Sequence, residues 1–129
     1  NVDATINALY SYKAINALYS YKDMKIHLIL GGDDKGANLL PLFDYIKDLD
    51  IHVYAIGSNA EKIKNYCNNY KINVNKCEIL KNAVEIINTK LDSKGVGILS
   101  PSAASLDQYS SYSARGKEFK NLVKNLSKL

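Results

Sequence analysis

The sequence predicts an α/β domain built on a mostly parallel sheet, and three observations carry that expectation. Short apolar runs recur along the chain, at Lys25 to Gly31 (KIHLILG), Ile51 to Gly57 (IHVYAIG), Cys77 to Leu80 and Gly95 to Leu99. Between them lie segments whose apolar residues recur at helical spacing. Near-continuous apolar strands alternating with amphipathic helices are what a sheet covered on both faces requires. The connections between such strands are right-handed crossovers. The expected result is a Rossmann-like three-layer domain spanning residues 1–129.

Each element has its own local signal. After the first strand, Leu39, Leu40, Phe43 and Ile46 form one helical stripe, with Pro41 in the first turn, where its missing N–H costs little. Asp48 to Asp50 reads as a turn into the second strand. Ser58-Asn-Ala-Glu61 has the form of a capping box, Ser58 being the N-cap and Glu61 reaching back to it. The helix it opens carries Ile63, Tyr66, Cys67 and Tyr70 on one side. Leu80, Ala83, Val84, Ile87 and Leu91 make the next stripe, and Asp92-Ser-Lys-Gly95 the turn into the fourth strand. A second capping box, Ser105-Leu-Asp-Gln108, follows, and Phe119, Leu122, Val123 and Leu126 mark a last helix.

The start of the chain is unusual. Residues 6–13 and 15–22 both read INALYSYK, an offset of nine. Drift seldom leaves adjacent copies untouched, so recent duplication, natural or engineered, is the better account. An α-helix turns by about 100° per residue, so nine residues rotate the pattern by roughly 900°, half a turn beyond whole turns. Were residues 4–22 one helix, Ile6 and Leu9 would face away from Ile15 and Leu18. Leaving two such side chains in water forfeits about 1.5–3 kcal/mol each. Either one copy loops out, or the helix extends and its stray face binds another chain. The lack of Gly or Pro favours the extended helix, and the partner would then be the same patch on a second copy.

Composition bounds the function. With 47% apolar and 23% charged residues, this is an ordinary globular chain. No apolar run reaches the roughly 20 residues of a membrane helix, and no signal peptide is visible, so a cytoplasmic location is expected. Seventeen basic against thirteen acidic residues give a net charge of +4. The lysines are dispersed, which argues for a solvated surface rather than a nucleic-acid face and suits anionic small molecules. Cys67 and Cys77 lack metal or redox spacing and are expected to be reduced and partly buried. His27 and His52 fall within strands, where satisfied or surface histidines outnumber metal ligands. GxxxxGK[ST] is absent, so there is no P-loop.

In a parallel α/β sheet, ligands bind beyond the carboxyl ends of the strands. Gly31-Gly32-Asp33-Asp34-Lys35 follows the first strand and Ser100 to Ser105 the last. Lys35 could set an ammonium against a carboxylate or phosphate, though a solvated lysine in a polar turn fits the same residues. Asp33 and Asp34 could tie that lysine down or hold a metal-bound water, or be solvated only. Ser105 reads first as an N-cap, a role compatible with anion binding at a helix N-terminus.

Two segments carry a resemblance to a known family. VGILSPSAASLDQYSSYSARGKEF, Val96 to Phe119, is similar to the C-terminal signature of the ligases that add D-glutamate to UDP-N-acetylmuramoyl-L-alanine, the MurD family. HLILGGDDKG, His27 to Gly36, resembles that family's strand running into Gly-Gly-Asp-x-Lys, and Asn1 to Leu9 its Asn-Val-x-x-Thr-x-x-Ala-Leu helix opening. The family reaches the Gly-Gly strand about nine residues sooner, which is the length of the repeat.

The resemblance implies the last of three domains, Rossmann-like and lacking its opening strand. It implies a reaction in which ATP, with Mg2+, phosphorylates the muramoyl-alanine carboxylate and the amine of D-glutamate attacks the acyl phosphate. The C-terminal domain closes over the site and holds D-glutamate, a positioning task. Carried over by motif, Lys35 would pair with a D-glutamate carboxylate. Ser105 would donate its hydroxyl or amide to the same ligand, beside the Leu106 amide. Tyr112 would fill a position usually held by an aromatic, often Phe. Ser100 and Ser102 gain weight only through this likeness. Asn1 falls next to the ATP-contacting segment and is a weak candidate. UDP-N-acetylmuramoyl-L-alanine and the nucleotide would be held by other domains, no cofactor would bind tightly here, and the chain alone would be inactive. The alternative is a non-catalytic Rossmann-like binder of small molecules or a self-associating module.

Overall fold

A computed structural model describes residues 14–31, 39–100, 121, 123 and 124. Residues 14–19 are helical (α1) and lead into β1 (Lys25–Gly31). There follow α2 (Leu40–Ile46), β2 (Ile51–Ile56), α3 (Ala60–Asn69), β3 (Asn73–Glu78), α4 (Leu80–Lys90) and β4 (Gly95–Leu99). The four strands form one sheet in the order β3-β2-β1-β4, and every neighbouring pair is parallel. The α/β three-layer architecture is as expected.

Burial parity explains the layers. Ile26, Leu28 and Leu30 of β1 point to one face with Ile51, Val53 and Ala55 of β2, and α1, α2 and α3 cover them with Ala14, Leu18, Leu42, Phe43, Ile46, Ile63 and Cys67. The alternate residues, Ile29, Tyr54, Ile56 and Cys77, face α4, which contributes Leu80, Ala83, Val84 and Ile87. The chain steps outward from β1 to β2 to β3 with its helices on one face. It then reverses across the sheet through α4 on the other face, as a constant hand of crossover demands.

Several local expectations are corrected. The third strand is Asn73–Glu78 rather than Cys77 to Leu80, and Leu80 opens α4. Of its residues only Cys77 is buried, because β3 pairs with β2 alone among the described strands; pairing, not apolarity, makes it a strand. The stripe of α2 is Leu39, Leu42, Phe43 and Ile46, while Leu40 is 44% exposed. That set has the i, i+3, i+4, i+7 spacing of one helical face. Leu91 has left the helix for an extended backbone and is exposed, so it ends the third stripe rather than joining it. Val123 is helical but 45% exposed.

The capping box at Ser58 does not form as expected. The N-cap of α3 is Asn59, without a side-chain cap hydrogen bond. Glu61 instead meets the Lys76 ammonium at 3.1 Å, and that contact holds its carboxyl below the usual range. The turns at 48–50 and 92–95 are present, the latter closed by Gly95 N–H donating to Asp92 O at 3.2 Å and by Lys94 N–H donating to Asp92 Oδ1 at 2.8 Å. Cys67 and Cys77 are free and buried, and burial raises their thiols to about 12 and about 11. Neither is a thiolate at neutral pH, which leaves both as inert packing groups.

Of the repeat, the second copy sits on the core. Ala14 and Leu18 are each 1% exposed and Ile15 packs beside them, while Tyr19 is 59% exposed. A tight turn fixes this copy to β1, with Tyr21 N–H donating to Leu18 O and Met24 N–H to Tyr21 O, both at 2.9 Å. The first copy lies outside the described residues.

Candidate functional site at the switch point

The strand order places a topological switch point between β1 and β4. Connections run one way from β1 through β2 to β3, then cross back to the opposite side of β1. In doubly wound sheets generally, ligands bind at such a point, beyond the carboxyl ends of the strands. Gly31 ends β1 on this rim and Ser100 follows β4 beside it, with Ser100 N–H donating to Ile29 O at 2.9 Å. The roots of the Gly-Gly-Asp-Asp-Lys segment and of the serine-rich segment are therefore neighbours on one edge of one sheet. The sequence alone left open whether these strands were adjacent.

Backbone chemistry explains the residues at the roots. Gly31 has φ +142°, and a Cβ there would lie 2.0 Å from the Ile56 carbonyl oxygen. Only glycine lets β1 and β2 approach so closely at the rim. Ser100, directly after β4, is 2% exposed, a buried polar residue at the rim. On the neighbouring strand, Gly57 has φ +79° and turns the chain from β2 toward α3, its N–H donating to Glu78 O at 2.9 Å. Asn59, just beyond, keeps both side-chain amide atoms buried without a hydrogen-bond partner. Sequence reasoning read Asn59 only as part of a capping box. An unpaired buried amide costs roughly 1–3 kcal/mol, so it marks a stressed position on the rim.

The expected ligand contacts Lys35, Ser105, Leu106 and Tyr112 lie outside the described residues, as do Asn1, Asp33, Asp34 and Ser102. Of the serine-rich segment only Ser100 is described, buried at the end of β4. Among the described residues, no group of three His, Cys, Asp or Glu is disposed to hold a metal ion, and no helix is long and apolar enough to cross a membrane.

A second polar group lies on the α4 face, away from the rim. His27 and His52 are paired across β1 and β2, Tyr54 is fully buried, and Asn75 lies opposite Tyr54 on β3. Nδ1 of His27 is 2.9 Å from the Tyr54 hydroxyl, a bond either group can donate according to which ring nitrogen carries the proton. Nε2 of His52 is hydrogen-bonded to Oδ1 of Asn75, and the His52 ring stacks on Tyr54 with centroids 4.6 Å apart. Burial lowers the pKa of His27, helped by His52, Lys25 and Lys90 and opposed by Asp92. Burial lowers that of His52 as well, against its Asn75 hydrogen bond. The Tyr54 hydroxyl is pushed up to about 12 by burial. These are satisfied structural histidines.

The fold is thus a doubly wound α/β domain whose topological switch point lies between β1 and β4. No family model matches the sequence. Curated relatives do. The chain is 50% identical over 126 residues to the UDP-N-acetylmuramoylalanine–D-glutamate ligase of Campylobacter jejuni strain RM1221, covering 98% of this chain and 29% of that protein. It is 46% identical to the same enzyme of Helicobacter pylori strain 26695 over 95% of this chain and 27% of that protein. With the Koribacter versatilis ligase it shares 39% identity over 98% of this chain and 25% of that protein. The chain is thus a homologue of the MurD ligases along nearly its whole length. It spans less than a third of the relatives it matches, an extent consistent with their C-terminal domain.

Proposed function

We propose that this chain is the D-glutamate-binding domain of a UDP-N-acetylmuramoyl-L-alanine:D-glutamate ligase, acting in cytoplasmic peptidoglycan synthesis. The observation that carries this reading is the adjacency of β1 and β4, from whose carboxyl ends the two family-like segments depart. D-Glutamate brings two carboxylates and an amine. Lys35 supplies a point charge for one carboxylate. Ser105 and the Leu106 amide supply donors at the start of a helix, where the backbone favours an anion. Tyr112 packs against the bound ligand. Held in this way, the amine is presented to the activated carboxyl carbon with its entropy of approach already lost.

ATP with Mg2+ supplies the carboxylate activation when bound. The described residues offer no metal-ligand cluster, and the sequence has no P-loop. In this reading the nucleotide, its metal and UDP-N-acetylmuramoyl-L-alanine are held elsewhere in a full-length ligase, and Asn1, next in sequence to the family's ATP-contacting segment, is a weak nucleotide-binding candidate. The chain by itself binds but does not turn over substrate.

Titration of the isotope-labelled chain with millimolar D-glutamate tests this by two-dimensional NMR. Amide shifts at Lys35, Ser105 and Leu106, larger than those from L-glutamate, are expected. Equal response to the two enantiomers, or response to dinucleotides alone, would favour a non-catalytic binding module instead.

A further inference from the structure

The described copy of the repeat is a helical peptide seated in a socket. Its anchors are Ala14, Ile15 and Leu18, at spacing i, i+1 and i+4, and they pack into the cluster that holds Ile26, Leu28 and Leu30 of β1 and Phe43 of α2. Its remaining side chains contribute little: Tyr19 and Tyr21 are 59% and 39% exposed. The socket therefore reads a small residue, an isoleucine and a leucine on one helical stripe. The same stripe occurs nine residues earlier as Thr5, Ile6 and Leu9, with Thr in place of Ala as the one anchor difference.

We propose that the socket is a binding site with two competing ligands in one chain, residues 5–13 and residues 14–22. Competition is exclusive, because on any helix running through both copies the two stripes would lie about half a turn apart. Only one can face β1. The copy next to β1 holds the site because the turn through Asp23 and Met24 is short. Seating the earlier copy makes residues 14–22 part of the connection to β1. Closure entropy grows slowly with loop length, so lengthening this connection two- to threefold disfavours the second register by a factor of only about 3–5. Burying the Thr5 hydroxyl and unwinding α1 add to that factor, and the second register is a minor state of the intact chain.

The test is denaturant unfolding of the 129-residue chain and three variants. A buried leucine cut to alanine ordinarily shifts the folding equilibrium by more than about thirtyfold. Leu18→Ala alone is expected to fall severalfold short of the loss in the double variant, because Leu9 takes the vacated place. Leu9→Ala alone should leave the midpoint where it is. Leu9→Ala combined with Leu18→Ala should show the full loss, well beyond the sum of the single effects. A double variant that cannot fold beside a folded Leu18→Ala chain supports exchange in the same way. If Leu18→Ala alone is as damaging as the double variant, or cannot fold, the socket has one ligand and the proposal is wrong. A rescue that strengthens with protein concentration also overturns it, because the replacement would then come from a second molecule.

Discussion

On the face of the sheet toward α1, α2 and α3, β1 and β2 present Ile26, Leu28, Leu30, Ile51, Val53 and Ala55, an unbroken apolar surface. On the face toward α4 the same strands present His27 and His52 beside Ile29, Tyr54 and Ile56. The first face is held by area removed from water and by ring stacking, with Phe43 lying 5.1 Å from Tyr66 and 5.8 Å from Tyr70 between centroids. The second combines apolar burial, which disfavours protonation of the imidazoles, with hydrogen bonds between polar side chains. Packing of the first kind is insensitive to pH and sensitive to volume. A polar layer responds to both protons and the loss of a single partner.

The contrast can be broken first on the apolar side. Phe43→Ala is expected to cost about 3–5 kcal/mol, since a fully buried ring is removed and the cavity cannot close around it. Denaturant unfolding measures this, and the loss should be the same at pH 7.5 and pH 5.5. Tyr54→Phe probes the other side with almost no change of volume. It strips one partner from a buried imidazole and is expected to cost about 1–3 kcal/mol. A neutral result would show that the His27 ring finds another partner.

Acid sharpens the comparison with a smaller effect. Folding lowers the pKa of both histidines below the ordinary 6.5. Above that value both states are neutral there, and the contribution is complete. As pH falls below 6.5, the unfolded chain takes up protons that the folded one refuses, and stability declines until the folded pKa is reached. The unfolding midpoint should therefore drop between pH 7.5 and pH 5.5. A His27→Gln chain should show a shallower drop; an unchanged slope would place the acid sensitivity elsewhere.

The two faces also differed in how readily the sequence revealed them. KIHLILG and IHVYAIG were legible as buried strands because nearly every residue is apolar, and α3 was legible from the Ile63, Tyr66, Cys67 and Tyr70 stripe. Asn73–Glu78 was not, because its strand character comes from pairing with β2 and its own side chains carry little apolar signal. Parity alone puts His27 and Ile29 on one side of β1. That His52 and Tyr54 share that side depends on strand register, which only the folded sheet supplies. The rim had the same division. The loops after the first and last strands were recognisable from their residues, but their adjacency follows from a strand order that no local pattern encodes. The orphaned Asn59 amide also depends on tertiary packing, and the Ser58–Glu61 pattern pointed away from it.

The crowding at Gly31 has a consequence for variation at this position. Any side chain must displace the Ile56 carbonyl and adopt a backbone angle that L residues resist, so relief requires spreading β1 from β2 at their carboxyl ends. In a saturation library screened for folded protein, this codon should tolerate almost nothing but glycine.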